Sequence, residues 1–429
     1  MKLLLKGARV IDPSQKMDAR MDILIEEGKI AGCSSNIKAS QDVSVVDLTG
    51  MIVAPGLIDM HVHLREPGLE YKETIASGSA AAVAGGFTSI ACMPNTEPVN
   101  DNRSITEFIR RKAAEANLAN VYPIGAISIG SEGRQLTEFW DLKEAGILAL
   151  SDDGKPVMDA ALMRRALEYA SSLNLPVIQH CEDKNLSAGG LMNEGYYATI
   201  LGLPGIPAIA EDVMVARDIL IAEYTRTRIH IAHVSTAGAV RLIRSAKARG
   251  LNVTAETAPH YFTLTDESLQ DYDTNYKVSP PLRSTADVAA IKEGLADGTL
   301  DVIACDHAPH GRTDKEVEFE YALNGISGLE TSLGLSLNLV HEGILPLPEL
   351  IAKMSCNPAR ILNLPKGTLI KGSDADITVI HPDRSWTVNV KAFRSRGKNS
   401  PFSGRKMQGR AVLTIVGGDI KYDGLASKT

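Results

Sequence analysis

Two histidines stand two residues apart in the stretch LIDMHVHL, where His61 and His63 lie in a largely apolar run. Side chains at alternate positions of a β-strand point to the same face. Two neighbouring imidazoles on one face can hold a divalent cation, and such pairs also occur on ordinary surface strands. The pair alone therefore leaves both a metal site and a surface strand open.

Metal-ligand residue types also stand at the ends of later apolar runs. His180 follows VIQ, His233 follows IHIA and Asp306 follows VIAC. Side chains at the ends of different strands converge on one point only if the strands close into a barrel. Imidazole and carboxylate ligands favour zinc over other cations, and this set supplies more ligands than one tetrahedral ion needs. The sequence therefore predicts two zinc ions.

The stretch ILALSDDGKP, residues 147–156, ends an apolar run in two adjacent aspartates. Strand alternation places Asp152 on the face of the two leucines and Asp153 on the opposite face. If the leucines face covering helices, Asp153 faces the metal ions and Asp152 hydrogen-bonds near the turn. A carboxylated Lys155 is the alternative ligand from this stretch.

Three further histidines lie in or beside the same runs. His230 differs in strand parity from His233, which predicts that it faces the helices in a structural role. His307 directly follows Asp306, and we expect it to support the site without binding metal. His260, in TAPHY, lies at a strand end, where a supporting role and a substrate contact both remain open.

The elements that must position these residues alternate between apolar runs and stretches with helical periodicity, which predicts parallel strands covered by helices. The predicted strands are residues 57–64, 88–95, 120–128, 147–152, 176–182, 229–235, 252–260 and 301–309. This is the number of units in a (β/α)₈ (TIM) barrel, an α/β fold with its active site at the carboxyl ends of the strands. A doubly wound open sheet is the alternative, but its usual glycine-rich dinucleotide motif is missing.

Both ends of the chain alternate apolar and polar residues between Gly and Pro turns, a pattern typical of antiparallel strands. Neither end is long enough for a convincing core of its own. We therefore expect residues 1–53 and 367–429 to form one small β-sandwich domain, with the barrel in residues 54–366.

Composition excludes two classes of partner. The 429-residue chain has a net charge of −7 and no block of basic residues suited to a nucleic-acid backbone. Its first residues, MKLLLKGARV, lack an apolar run long enough for a signal peptide or a membrane span. We expect a cytoplasmic protein that binds neither nucleic acid nor membrane.

A set of motifs distributed over nearly the whole chain resembles the amidohydrolase superfamily and, within it, the bacterial class I dihydroorotases. The motifs are GLIDMHVHLREPG, CMPNT, SDDG, QHCED, IAHVST, TAPHY, PPLR and CDHAPH. In many relatives the position of Asp153 holds a carboxylated lysine that bridges two zinc ions, whereas one branch of class I dihydroorotases uses aspartate. The aspartate is the main feature that separates this sequence from hydantoinases.

The resemblance implies a ligand for each metal position. His61, His63 and Asp306 would hold one zinc ion, and His180 and His233 would hold the other. Asp153 and a hydroxide would bridge the two ions.

The resemblance also implies substrate contacts. Arg65, two residues beyond His63, matches an arginine that binds substrate, and its planar fork suits a carboxylate. Asn95 and His310 match further substrate-binding positions. The chain departs from the common pattern at Ser279, and at Asn324 and Gly325 in YALNGISG, where substrate contacts are also expected.

The implied activity is reversible closure of N-carbamoyl-L-aspartate to L-dihydroorotate and water, in pyrimidine (UMP) biosynthesis. Asp306 would act as general acid and base. The charged segment after Asp306 is expected to close over the site as a lid, with a solvated connection as the alternative.

Two other functions remain open at this point: a hydantoinase or allantoinase, and an inactive scaffold for aspartate transcarbamoylase. The resemblance suggests a homodimer and leaves a complex with aspartate transcarbamoylase open.

Overall fold

Short apolar runs rich in β-branched residues form the strands of this chain, as their alternation predicts. The computed structural model describes residues 2–425. In chain order the strands are β1 (Lys2–Asp12), β2 (Met17–Glu26), β3 (Lys29–Ser34), β4 (Ser44–Asp47), β5 (Ile52–Pro55), β6 (Leu57–Val62), β7 (Phe87–Cys92), β8 (Asn120–Pro123), β9 (Ile178–Gln179), β10 (Met192–Asn193), β11 (Gly205–Ile206), β12 (Ile229–Ile231), β13 (Val253–Thr257), β14 (Val302–Ile303), β15 (Ile377–Thr387), β16 (Lys406–Val416) and β17 (Asp419–Asp423).

Parallel pairing closes part of these strands into a ring. β6, β7 and β8 pair in that order, and β9, β12, β13 and β14 form a second parallel group. Leu150 joins the groups through parallel bridges to Gly125 and Val177, and a bridge between Val62 and His307 closes the ring. The predicted barrel is confirmed, with hydrogen-bonded strands that are shorter than the apolar runs.

Helices, the longer of which bury an apolar face, connect the strands. They are α1 (Ile75–Gly85), α2 (Arg103–Ala116), α3 (Phe139–Ala145), α4 (Ala160–Ser172), α5 (Tyr196–Leu201), α6 (Ile209–Thr225), α7 (Ala237–Ala248), α8 (Thr285–Ala296), α9 (Arg312–Lys315), α10 (Ser332–His341), α11 (Leu347–Ile351) and α12 (Asn357–Ile361). Side-chain caps fix several helix starts; the Thr74 hydroxyl, for example, accepts from the Ser77 amide at the start of α1. None of the helices within residues 2–425 could cross a membrane, being too short or too polar.

The inside of the barrel below the strand ends is filled by a small apolar core. Its buried members include Met60, Ala91, Ala149 and Ala232, and Ile361 of α12 packs against them. Such filling makes the barrel interior a packed core. The predicted metal ligands lie beyond this layer, toward the carboxyl ends of the strands.

The two ends of the chain come together as predicted and share one sheet. Most of its strands are antiparallel, but β1 pairs in parallel with β4 and β5, which the alternating pattern did not predict. Its strand order is β17-β16-β15-β5-β1-β2-β3, with β4 paired to β1. Leu3, Ile23 and Val53 from the first part of the chain share a core with Ile377 and Val412 from the last part. β5 continues this sheet to Pro55, and the division of the chain at residues 53 and 367 stays a prediction.

Candidate metal centre

The predicted ligands lie where the barrel strands end. His61 is in β6 and His63 directly follows it, His180 directly follows β9, and His233 and Asp306 lie just beyond β12 and β14. All of them are buried. The closure of the ring therefore brings residues from distant parts of the sequence to one point.

A first group of side chains has the spacing of a cation site. His61, His63 and Asp306 each offer a ligand atom, and these atoms lie within 4.8 Å of one another. Asp306 Oδ1 is 3.1 Å from His63 Nε2 and 3.6 Å from His61 Nε2. The three atoms can converge on one ion with modest movement.

A second group, formed by His61, Asp153 and His233, has the same spacing. Asp153 Oδ1 lies 3.5 Å from both His233 Nε2 and His180 Nδ1. The two imidazole nitrogens are themselves only 2.7 Å apart. Asp153 Oδ2 lies 3.5 Å from His63 Nε2 in the first group. Asp153 therefore touches both groups.

Asp152 and Lys155, which lie close to Asp153 in sequence, are not part of the cluster. Asp152 is buried and accepts hydrogen bonds from the amides of Ile127, at 2.8 Å, and Ser128, at 3.1 Å. Lys155 is exposed. The structure thus brings Asp153 to the cluster and leaves Lys155 at the surface.

The polar atoms at the centre of the cluster fit a cation. His61 Nε2 and Asp153 Oδ1 are buried and, within the described part of the chain, neither has a hydrogen-bond partner. Burying a polar atom without a partner costs free energy. A dication between imidazole nitrogens and carboxylate oxygens would satisfy both atoms, and this donor set suits zinc.

Burial and neighbouring charges shift the pKa values of the clustered side chains in opposite directions. Burial acts to raise the pKa of Asp153, but His61, His180 and His233 outweigh it and hold that pKa well below its usual range. Burial acts to lower the pKa of His180, but Asp153 and Glu182 outweigh it and raise the pKa to about 9. Neighbouring carboxylates likewise raise the pKa of His61. Without a cation, His61 and His180 therefore keep their protons at neutral pH, and a metal would displace them.

A buried glutamate on β13 orients the first histidine. Glu256 Oε1 lies 2.6 Å from His61 Nδ1, and Oε2 lies 3.2 Å from His230 Nε2. The first contact directs Nε2 of His61 toward the aspartates. Sequence analysis missed Glu256, although its place in the apolar run NVTAETAPH was a usable signal.

The prediction that His230 faces the helices is wrong. Its neighbours Ile229 and Ile231 pack in the core under the helices, so His230 points into the barrel. The parity argument started from His233, whose φ of 32° places it in the left-handed region and breaks the alternation. Counting from a residue in an extended conformation would have given the opposite face.

Two more side chains hold imidazoles of the cluster. Asn95 Oδ1 lies 2.8 Å from His63 Nδ1, and Glu182 Oε2 lies 3.1 Å from His180 Nε2. Asn95 was predicted to bind substrate, which stays a prediction, and the structure shows that its side chain orients a histidine. Glu182 was missed, although it follows His180 in the motif QHCED.

Three residues of this site have positive φ angles. Arg65, His233 and Asp306 have φ values of 63°, 32° and 46°. For residues other than glycine this conformation costs on the order of 1–3 kcal/mol, and it persists where the surroundings impose it. The strain accompanies the turns that aim these side chains at the strand ends.

A cavity of about 330 Å³ opens onto the cluster. The predicted site residues that line it are His63, Arg65, Asn95, Asp153, His180, His233, Ser279, Asp306, His310, Asn324 and Gly325, and His61 lies behind them. Sequence analysis missed further lining residues, namely Lys72, Gly154, Lys184, Ala308 and Leu323.

The guanidinium of Arg65 is a buried cation that lines the cavity. Its Nε donates to Pro309 O at 3.3 Å, and no carboxylate within residues 2–425 lies within 4.0 Å of its guanidinium. Burial lowers the pKa of Arg65. A buried cation without a counter-ion is costly, so the cavity favours an anionic ligand.

His310 stands beside Arg65 as a neutral imidazole. Burial is the main cause that lowers the pKa of His310 to about 2, and the charge of Arg65 adds to it. Its Nε2 donates to Asn324 O at 2.8 Å. This bond joins His310 to the segment that carries Asn324 and Gly325, so these predicted substrate contacts form one wall.

Two buried lysines hold that wall in place. Lys315 Nζ donates to Leu323 O at 2.7 Å, and Lys277 Nζ donates to Phe319 O at 2.6 Å. The predicted lid is thus an ordered segment that contains α9 and contributes to the cavity. Its closure over a substrate stays a prediction.

A closed parallel barrel with histidines and aspartates at its strand ends is the architecture of the amidohydrolase superfamily, whose members are generally metal-dependent. Two solved structures are similar to this chain over nearly its full length. The L-hydantoinase (dihydropyrimidinase) of Arthrobacter aurescens is 28% identical with a TM-score of 0.88, covering 98% of this chain and 96% of that one. A D-hydantoinase structure is 25% identical with a TM-score of 0.87, covering 99% and 96%.

Comparison with known sequences narrows the assignment from the superfamily to one family. The profile described as dihydro-orotase-like matches residues 50–239. A dihydroorotase of Syntrophus aciditrophicus is 64% identical over 98% of this chain and 99% of its own length. A dihydroorotase of Pelobacter propionicus is 57% identical over 98% and 100%. The chain belongs to the dihydroorotase family.

Proposed function

We propose that this enzyme is a dihydroorotase that interconverts N-carbamoyl-L-aspartate and L-dihydroorotate plus water. Relatives of that name match the chain over nearly its full length. The observation that carries the substrate class is Arg65, buried at the cavity without an acidic partner in the described chain. Both proposed substrates carry a carboxylate that would neutralise it.

Two zinc ions are the proposed cofactor. His61, His63 and Asp306 would hold one ion, His180 and His233 the other, with Asp153 and a hydroxide between them. The contacts of Asp153 with both groups support this assignment. Bound zinc would lower the pKa of a bridging water and polarise the ring carbonyl.

Asp306 is the proposed general base and acid. Burial acts to raise its pKa, but His61 and His63 outweigh burial and keep the side chain ionised. The carboxylate can therefore accept a proton at Oδ1 or Oδ2 and return it to the ring nitrogen that leaves. It lines the cavity, within reach of a bound ring. Asp306→Asn should lower kcat by about 10² to 10⁴ while at least one metal ion remains bound.

The proposed role of Arg65 is to hold the substrate carboxylate by two parallel hydrogen bonds. The remaining proposed substrate contacts line the same cavity; they are Asn95, Ser279, His310, Asn324 and Gly325. A neutral hydantoin would leave the guanidinium unpaired, which disfavours a hydantoinase.

The test is a substrate panel with the purified metal-loaded enzyme. We expect turnover of L-dihydroorotate and carbamoyl aspartate, and at least 100-fold lower kcat/KM for hydantoin, dihydrouracil and allantoin. Arg65→Met should raise KM for dihydroorotate by about 10- to 100-fold, because a charge-assisted pair contributes about 1.5–3 kcal/mol. Equal turnover of the neutral rings would contradict the proposal.

An inactive scaffold is disfavoured, because the cluster retains all of its predicted ligands in contact. The size of the cavity supports a small-molecule substrate as the binding partner. A complex with aspartate transcarbamoylase stays a prediction from the family resemblance.

A further inference from the structure

A motif near the end of the chain lies outside the predicted site. GKNSPFSG, residues 397–404, belongs to the connection between β15 and β16, in the part of the chain expected to form the β domain. Asn399 of this motif is nevertheless buried, with 4% of its surface exposed. Buried side-chain amides have hydrogen-bond partners, and those of Asn399 lie in the wall of the metal cavity.

The side-chain amide of Asn399 joins two segments of that wall. Its Oδ1 accepts from the amide of His310 and from the hydroxyl of Ser327, both at 2.9 Å. Its Nδ2 donates to Gly325 O at 2.9 Å and to Ala308 O at 3.1 Å. The amide therefore uses both of its donor hydrogens and both acceptor positions of its oxygen. A carboxylate or an apolar side chain of the same size could not make this set of bonds.

The main chain around Asn399 follows the same wall. Asn399 O accepts from the amide of Ser327 at 2.8 Å, and the Ser327 hydroxyl also donates to Gly397 O at 3.0 Å. A Cβ atom on Gly397 would lie 2.5 Å from Cβ of Pro309. The connection therefore packs directly against the turn that follows Asp306.

A second contact of the connection lies near the start of that turn. Glu73, which is fully buried, accepts from the hydroxyl of Ser395 and, at 3.0 Å, from the amide of Arg396. Its Oε2 also lies 3.2 Å from Nε2 of His307. His307 directly follows Asp306 in sequence. The connection thus holds the turn near both of its ends.

We propose that Asn399 is a positioning residue for the reaction, which fixes the spacing between His310 and Gly325 and thereby the place of the substrate beside the candidate metal centre. This inference rests on the proposed function, because it takes His310 and Gly325 as substrate contacts. Asn399 lies behind the wall and acts through these residues. Loss of its bonds would let the wall shift, and a misplacement of about 1 Å can cost about 100-fold in rate.

The partners of the Asn399 side chain separate this role from a general support of the fold. They are Ala308, His310, Gly325 and Ser327, and none of these four is a predicted metal ligand. Removal of the amide should therefore leave the metal in place and weaken substrate binding. Loss of a residue that only supported the fold would lower the folded fraction and hence Vmax, whereas KM of the remaining folded enzyme would not change.

The first test compares the steady-state kinetics of metal-loaded Asn399→Ala and wild type. We expect KM for L-dihydroorotate to rise by about 10- to 100-fold, with a smaller fall in kcat and an unchanged metal content. Asn399→Asp keeps the two acceptor contacts and loses both donors, so it should also raise KM, and it decides the test where Asn399→Ala does not fold. Asn389→Ala removes an exposed amide of the same connection and should keep the wild-type KM. A wild-type KM in the folded Asn399 variants would overturn the proposal.

A second test needs no substrate and therefore separates this inference from the proposed function. Hydrogen–deuterium exchange of the metal-loaded protein reports on the His310 amide, which donates to Asn399 Oδ1. Peptides that contain His310 should exchange about 10-fold or more faster in Asn399→Ala, whereas peptides that contain His180 should not change. Unchanged exchange around His310 would overturn the proposal. Faster exchange in an enzyme whose wild type does not turn over dihydroorotate would support the positioning role while the proposed function failed.

Discussion

Glu256 Oε1 lies 2.6 Å from Nδ1 of His61, and its other oxygen contacts His230. One carboxylate thus fixes the ring of the histidine that belongs to both candidate metal-binding groups. His61 itself is completely buried and cannot be oriented by water.

We predict that Glu256→Gln weakens metal binding by about 10- to 100-fold, the usual effect of removing a partner that orients a ligand. The physical reason is that the charge opposite Nδ1–H is lost. Metal content after dialysis against graded chelator measures the effect. His230→Gln leaves the contact with His61 and should cost less; equal metal retention in Glu256→Gln and wild type would contradict the role.

Asp153→Ala should lose at least one equivalent of zinc and nearly all activity, because Asp153 contacts both groups. Bicarbonate should not restore either property, in contrast to a site that uses a carboxylated lysine. Metal analysis with and without bicarbonate is the measurement. Lys155→Ala is the matched control and should keep its metal, since Lys155 is exposed. Loss of metal in that control would favour the lysine instead.

Gly325 has a φ of 147°, and a Cβ atom there would lie 2.5 Å from Ala308 O. Gly325→Ala should therefore displace the wall that joins Asn324 to His310 and raise KM by about 10-fold or more, consistent with strain of about 1–3 kcal/mol. Steady-state kinetics report the change. Gly32→Ala, where the added Cβ meets no atom within 4 Å, should behave like the wild type. Unchanged kinetics in Gly325→Ala would show that the wall can shift without cost.

Glu330 is a largely buried carboxyl whose Oε1 accepts from the amides of Arg394, at 2.7 Å, and Ser395, at 3.2 Å. Burial raises its pKa from 4.5 to about 7. Between these values the folded protein holds a proton that the unfolded chain releases, so this group stabilises the fold below about pH 4.5 and loses that contribution as pH rises through 7.

Glu330→Gln should therefore stabilise the protein above pH 7 by about 1 to 3 kcal/mol, with the gain disappearing toward pH 4.5. Thermal melting as a function of pH measures this, with the exposed Glu138→Gln as control. A gain that is the same at every pH would mean that titration of Glu330 is not its source.

The residues with the strongest local signals were predictable from sequence. His61 lies in β6, and His63 and Asp153 closely follow apolar runs, so alternation still predicts the face of each side chain. His230 was misplaced because the conformation of His233 interrupts its run, which periodicity does not reveal. Glu256 was missed because its function depends on a partner in another strand.

The outer face of α6 exposes Ile209, Val213, Leu220 and Tyr224. The sequence alone could not show which face of this helix is exposed, for a related reason. The segment IAEDVMVARDILIAEY predicts a helix, but apolar residues surround its whole circumference. Only the packing of α6 against α4 and α7 shows which of these residues are left uncovered.

The bridge between Val62 and His307 closes the barrel between its first and last strands. Beside it, the amide of His63 donates to His307 O at 2.8 Å. His63 and Asp306, which face each other there, are separated by 243 residues in sequence. During synthesis on the ribosome, most of the barrel emerges before Asp306 is added. A cation held by His63 and Asp306 would therefore bind only after the last barrel strand has docked, and metal loading would report that the barrel has closed.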